Sequence, residues 1–166
     1  MIHGSHNDAY FVLFEEQSEA LSMTARYGID QYLPGFTICG LRGWDDFILR
    51  DRQGHFFTVP TVPLLAQHVA PYDFQIDLAD IKPDARIGDR IKWYIKPLVF
   101  GGDPQAADNM AWISLDQHVD AVRWWNKIYR DVSETHRNAE PCASPNGDPA
   151  TPPGNAGATE RPPSVS

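Results

Sequence analysis

The chain has 166 residues, of which 42% are hydrophobic, and this is enough for one domain with a real hydrophobic core. Its formal net charge is −8 and no local basic patch stands out, which argues against a nucleic-acid-binding role. No apolar run reaches the roughly 18 residues that span a bilayer, and two cysteines without a recognisable signal peptide predict a cytoplasmic protein with no membrane association.

The first predicted element is a helix that covers most of the range from Ala9 to Tyr27. Gly28 provides a left-handed residue that ends this helix, and Ile29 follows as its apolar contact. Within the same range, the run "YFVLF" from Tyr10 to Phe14 fits a strand equally well, because periodicity does not distinguish a short buried strand from a buried helix segment.

After this helix the pattern changes to short apolar runs that are separated by turn residues, which is typical of strands. The prolines of "PTVPL" lack a backbone donor and break the pairing. The predicted strands are Phe36–Leu41, Phe47–Arg50, Phe56–Val59, a stretch with Ile91, Trp93 and Ile95 on one face, and Met110–Ile113. Together with the helices, this order predicts an α+β fold, with an antiparallel sheet flanked by an N-terminal and a C-terminal helix.

The C-terminal helix is the strongest helical signal in the chain. Ser114 and Gln117 form a capping box at its start. Its predicted apolar face consists of Leu115, Val119, Val122, Trp125 and Tyr129, widened by Trp124 and Ile128. The polar residues Asp120, Arg123, Lys127 and Arg130 point away from that face, and His118 lies at its boundary. We therefore expect the helix to pack on a sheet through its tryptophans.

Residues 139–166 have a different composition from the rest of the chain. They contain seven of its 14 prolines and almost no large apolar side chain, so they cannot bury enough surface to offset the entropy of ordering. The sequence thus predicts a single α+β domain over residues 1–138 and a disordered Pro-rich tail over residues 139–166.

The order of features from Tyr27 to Leu65 resembles the SUKH superfamily, which includes fungal cell-wall-synthesis regulators and many bacterial immunity proteins. The similarity lies in "YGIDQYLPGF", which contains the Leu33-Pro34-Gly35 step, in the turn before the hairpin, and in "FILRDRQGHFFTVPTVPL", an aromatic-rich strand ending in proline. Where many members have glycines followed by an acid, this chain has Gly43-Trp44-Asp45-Asp46, so its turn departs from the family pattern.

This resemblance implies an α+β fold without enzymatic activity or cofactor, and a role in binding another protein, most often to neutralise a toxin in the same cytoplasm. A basic toxin domain would suit the acidic chain. We expect the partner-binding residues to be Trp44, Asp45, Asp46 and Trp124, because acids in a turn and tryptophans at the edge of the packed face suit an interface. The fungal branch implies an alternative role as a regulator or scaffold in cell-wall synthesis.

Asp45 and Asp46 also have two other interpretations. An aspartate before a strand commonly forms a turn, and adjacent residues of an extended segment point to opposite faces, so the two carboxylates need not converge on one substrate atom. The rival interpretation is a small hydrolase that uses Asp45 or Asp46 with His55, because the predicted hairpin would bring His55 back toward the turn.

Other candidate sites favour structural interpretations. The six histidines and two cysteines do not stand at metal-ligand spacing, so no metal site is predicted. The glycines of "FGGDP" run into Asp103 and Pro104, which favours a tight turn over a phosphate loop. Trp93, Trp112 and Trp125 fit the core pattern, whereas Trp44 and Trp124 are the candidate interface anchors.

Overall fold

A six-stranded antiparallel sheet forms the centre of the fold, and each of its strands pairs with the next one along the chain. The computed structural model describes residues 1–7, 9–43, 45–84, 88 and 90–139. The strands are β1 (Ile2–His6), β2 (Ala9–Leu13), β3 (Thr37–Arg42), β4 (Asp46–Arg50), β5 (Phe56–Pro60) and β6 (Ala70–Pro71). The predicted α+β class is therefore confirmed, as is the hairpin of β4 and β5.

The N-terminal region differs from the helix expected over Ala9–Tyr27. Residues 9–13 form β2, and the helix α1 is limited to Gln17–Tyr27. Tyr10 and Val12 pack into the core on one face of the sheet, while Phe11 and Leu13 pack into a second cluster on the opposite face. A strand that is covered on both faces has a continuous apolar run, and this is why "YFVLF" lacks the alternation of a half-exposed strand.

Helix α1 lies against the sheet and stops at Gly28, which has φ of 76° and donates its N–H to the carbonyl of Ala25. This left-handed conformation suits glycine and allows the one-turn helix α2 (Ile29–Tyr32) to follow at once. Thr24 fixes α1 on the sheet because its Oγ1 donates to Ala20 O and accepts from the backbone N–H of Ile38 on β3, at 3.0 Å.

A second, two-stranded antiparallel sheet is formed by β7 (Arg90–Tyr94) and β8 (Met110–Ser114). Ile91 and Trp93 face the core as expected. Ile95 was expected on the same face but is 53% exposed. Trp112 was expected in the core but is 47% exposed, because side chains alternate along β8 and its neighbours Ala111 and Ile113 occupy the half-buried face.

Helix α3 (Leu115–Ala139) starts with the predicted capping box, in which Ser114 Oγ accepts from Gln117 N and Gln117 Oε1 accepts from Ser114 N. Its buried stripe contains Val119 and Val122, as expected, and Leu115 and Trp125 are partly buried against the same core. His118 and Asn126 are buried as well, whereas Trp124, which was expected to widen the face, is 55% exposed. Trp124 is two residues beyond Val122, about 200° further round a helix with 3.6 residues per turn, so it cannot share that stripe.

Asn126 fastens α3 to the irregular segment after β5. Its Oδ1 accepts from the backbone N–H of Leu64 at 2.6 Å, and its Nδ2 donates to the carbonyl oxygens of Thr61 at 2.7 Å and Val122 at 2.9 Å. This side chain is buried and fully hydrogen-bonded, so it holds a loop that has no strand partner of its own.

Two features singled out from the sequence, the Pro-rich tail and Trp44, fall outside the described residues. Of the tail predicted for residues 139–166, only Ala139 at the end of α3 is described. Within the described ranges, none of the helices combines the length and apolarity needed to cross a bilayer.

We expect Asn126→Ala to lower the free energy of unfolding by at least about 2 kcal/mol, because it leaves the Leu64 N–H and the Thr61 carbonyl buried without partners. Urea unfolding followed by circular dichroism measures this loss. The matched control is Asn138→Ala on the exposed side of the same helix, which should change the value by less than about 0.5 kcal/mol. Equal effects of the two substitutions would contradict the role of Asn126.

Candidate functional site

A cavity of about 230 Å³ opens at the end of the main sheet, where β4 begins and β5 ends. We call it the sheet-end pocket. Asp45 and Asp46 line it together with His68 and Tyr94, and most of the remaining wall is apolar, from residues 60–63 and from Trp93, Pro97 and Leu98. The two aspartates that the sequence singled out thus share a concave surface with a histidine and two aromatic rings.

The turn between β3 and β4 places the aspartates at this pocket. Gly43 donates its N–H to the carbonyl of Tyr10 at 2.7 Å, and Thr61 donates its N–H to the carbonyl of Asp45 at 2.7 Å. Asp46 is the first residue of β4 and lies opposite Pro60. Asp45 therefore lies in the turn, as predicted, whereas Asp46 already belongs to β4. Both still line one cavity, because the cavity lies at the end of the strands and not over either face of the sheet.

The environment of Asp46 disfavours its charged form. Burial raises the pKa of its carboxyl above the ordinary value, and the neighbouring Asp45 carboxylate raises it further, while Arg42 acts in the opposite direction. Burial, and secondarily the charge of Asp45, also raise the pKa of Tyr94. The negative charge of Asp45 therefore acts on two groups of the pocket, and a cation placed there would relieve the repulsion.

His55 does not reach these aspartates. It lies in the turn at the other end of the β4–β5 hairpin, where its Nδ1 is 3.1 Å from Asp51 Oδ2. In the hairpin register Asp46 is opposite Pro60 and Arg50 is opposite Phe56, so four strand residues, about 13 Å, separate the two ends. The pairing of Asp45 or Asp46 with His55 that the sequence suggested is not present in the structure.

His68 is the histidine of the pocket, and sequence reasoning missed this role. It lies in an irregular segment between β5 and β6, which the strand-breaking prolines Pro60 and Pro63 introduce. The position of such a segment depends on tertiary anchoring, here through Asn126, and local pattern does not predict it. The two prolines were the available signal that the chain leaves the sheet here.

A second concave surface lies between α3 and the β7–β8 sheet. This groove, which we call the helix–hairpin groove, has a volume of about 520 Å³ and is lined mainly by apolar side chains, including Ile95, Ile113, Ala121 and Trp124. Gln117 and Asp120 are its polar lining residues. Trp93 lines both the groove and the sheet-end pocket, so the two surfaces are neighbours.

The ring of Trp93 is held by a buried polar pair. His118 lies edge to face with Trp93, with ring centroids 5.0 Å apart, and its Nδ1 is 2.8 Å from the hydroxyl of Tyr27. Burial lowers the pKa of His118 to about 3, so the imidazole is neutral at pH 7. Tyr27 in turn packs on Phe47 with ring centroids 4.7 Å apart, which links the wall of both cavities to the main core.

Three of the four predicted partner-binding residues therefore lie on concave surfaces. Asp45 and Asp46 line the sheet-end pocket, Trp124 lines the helix–hairpin groove, and Trp44 lies outside the described residues. Among the residues that the structure describes, no group of three or more histidine, cysteine, aspartate or glutamate side chains is arranged to hold a metal ion.

Comparisons of the chain with protein-family models, with curated proteins and with solved structures found no match.

We expect stability to fall as the pH is lowered from about 6.5 toward 3, because His118 titrates near 6.5 when unfolded and near 3 when folded. In that window the unfolded chain binds the extra proton, so the free energy of unfolding decreases by up to about 1.4 kcal/mol for each unit that the pH falls. Above pH 6.5 the stabilisation from neutral His118 is fully present. His118→Gln should flatten the dependence measured by urea unfolding between pH 7.5 and 4.5.

His136→Gln is the control for this prediction, because His136 is exposed on the last turns of α3. It should leave the slope of the wild-type curve unchanged. If the His118→Gln and wild-type curves run parallel across the acidic range, the buried imidazole is not the group that links stability to pH.

Proposed function

We propose that this chain is a non-enzymatic protein-binding module whose partner covers the helix–hairpin groove and inserts a side chain into the sheet-end pocket. The observation that carries the proposal is the exposure of Ile95 and Trp124, which are 53% and 55% exposed and line the same groove. Tryptophan on a rigid element, next to other apolar side chains, is the residue type that most often dominates binding energy at protein interfaces.

The size of the sheet-end pocket supports a protein partner over a separate small substrate. Sites for small molecules commonly have volumes of roughly 300–1,000 Å³, whereas this pocket has about 230 Å³. A single long side chain suits that volume. A lysine from the partner would lay its apolar stem along Pro60 and Leu98 and place its ammonium group beside the carboxylate of Asp46.

The net charge of −8 supports a basic partner. An acidic surface accelerates the encounter with a positively charged protein, and buried apolar contacts then slow its dissociation. A basic toxin domain that the chain neutralises by occlusion is the partner we propose: the resemblance to immunity proteins of the SUKH superfamily implies a toxin, and the charge of the chain favours a basic one. A cell-wall regulator of the kind in the fungal branch would use the same surface for a different protein.

Trp124→Ala tests the surface. A partner recovered from the source cell, or a toxin encoded beside this chain and co-expressed with it, should bind the variant at least about 30-fold more weakly, as expected when an interface tryptophan is truncated. The matched control is Leu21→Ala on α1, which removes a side chain of similar exposure (52%) that lines neither the pocket nor the groove.

Calorimetric titration measures both affinities, and survival of toxin-expressing cells gives a second readout. Wild type and Leu21→Ala should protect these cells, while Trp124→Ala should not. Equal affinities of the two variants for the partner would show that it binds elsewhere, and a partner whose association rate does not fall with added salt would contradict the proposed charge steering.

One observation favours a second candidate function, that of a small hydrolase. Asp46 has a raised pKa and shares a cavity with His68, and a carboxyl group with such a shift suits general acid catalysis. In this alternative His68 takes the role that the sequence suggested for His55.

Asp46→Asn separates the two functions. Because burial and the Asp45 charge raise the pKa of folded Asp46, its negative charge is less favourable in the folded than in the unfolded chain, so the amide should fold with equal or greater stability. If the protein is an enzyme, the variant should lose turnover of ester, phosphodiester or glycoside test substrates by about 10²–10⁴-fold. If it is a binder, the wild type should show no turnover and the variant should bind the partner more weakly. Asp73→Asn, on an exposed loop, is the control and should change neither.

A further inference from the structure

A third cavity of about 420 Å³ lies between α3 and the corner formed by α1 and α2, and we call it the basic cleft. Arg123, Lys127 and Arg130 line one side of it. These three residues follow one another at spacings of four and three, which places them in a row along the helix. The sequence suggested only that they point away from the core and showed no local basic patch.

The other side of the basic cleft comes from Gly28, Gln31 and Tyr32. The Arg130 guanidinium lies over the Tyr32 ring, 3.7 Å from its centroid. Stacking on an aromatic face orients the guanidinium plane and leaves the N–H groups on its edge able to donate. Within the described residues this guanidinium makes no hydrogen bond, so its N–H donors are oriented by the stacking and available to a ligand.

The charge balance of the cleft is unusual for this chain. Among the described residues, no acidic side chain lines it, although the whole chain carries a net charge of −8. Lys127 has one exposed ion pair, with Asp131 at 3.4 Å, and Arg123 donates to the carbonyl of Arg26 at 3.3 Å. Arg123 and Lys127 are like charges four residues apart on a helix, a mildly unfavourable arrangement that an anion bound between them would relieve.

We infer that the basic cleft binds a small molecule that carries a phosphate group. A phosphate bears up to two negative charges and accepts paired N–H donors from a planar guanidinium, so it matches a row of two arginines and a lysine better than a single carboxylate does. The cleft volume of about 420 Å³ is within the roughly 300–1,000 Å³ of small-molecule sites. A phosphate group alone would not fill it. The rest of the ligand would lie along the ring of Trp124. This inference does not rest on the proposed protein partner, although both sites include Trp124.

The test is an NMR titration of the full chain with inorganic phosphate and with pyrophosphate, at constant ionic strength set by chloride. Pyrophosphate should shift the backbone amide signals of Gly28, Gln31 and the Arg123–Arg130 turns along a saturable curve. Arg130→Gln should weaken its affinity by about tenfold, as expected for the loss of a charge-assisted hydrogen bond. Arg137→Gln, which removes an exposed charge from the end of the same helix, should have less than a twofold effect.

Citrate distinguishes the class of anion. If citrate shifts the same signals with equal or higher affinity than pyrophosphate, the site is a carboxylate site and the phosphate inference is overturned. Non-saturable shifts, or equal losses in Arg130→Gln and Arg137→Gln, would also overturn it, because they indicate diffuse attraction. Lys127→Gln provides a second variant that keeps the Arg130–Tyr32 stack, and it should likewise weaken pyrophosphate binding.

Discussion

The docking of α3 on the sheet is the constraint on which every candidate site of this protein depends. The helix forms one wall of the helix–hairpin groove and one wall of the basic cleft. Through Asn126 it also holds the segment from Thr61 to Leu64, part of which lines the sheet-end pocket. A rotation of α3 by one residue, about 100°, would replace the buried stripe and remove all three cavities at once.

Polar side chains determine the register of that docking. Val119 and Val122 supply apolar area, but apolar contacts alone tolerate sliding and rotation. Asn126 accepts one hydrogen bond from Leu64 and donates one to Thr61, and these two bonds exist in only one register, while His118 must remain neutral beside Tyr27. Each alternative register would leave buried polar groups unpaired, which is far less favourable than the loss of a few van der Waals contacts.

The fold was largely predictable from local signals, and the site was not. The helix end at Gly28 and the capping box of Ser114 and Gln117 depend on residues only a few positions apart, so the sequence pattern predicted both. The apolar face of α3 was predicted in part, because Val119 and Val122 are buried as expected. The burial of Asn126 was not predicted, because it depends on a loop more than 60 residues away in the chain. Asp45 and Asp46 were identified, but the cavity they line exists only once distant segments meet.

Trp124 lies at the boundary between two surfaces of opposite character. Its side chain lines the apolar groove on one side and the basic cleft on the other, so the two sites share a wall. A basic partner in the groove would be repelled by Arg123 and Lys127, and an anion in the cleft would neutralise that repulsion. The two ligands would therefore favour each other's binding, and by linkage the effect must be equal in both directions. An acidic chain that places three cations beside the most exposed tryptophan of its described residues has the arrangement that such coupling requires.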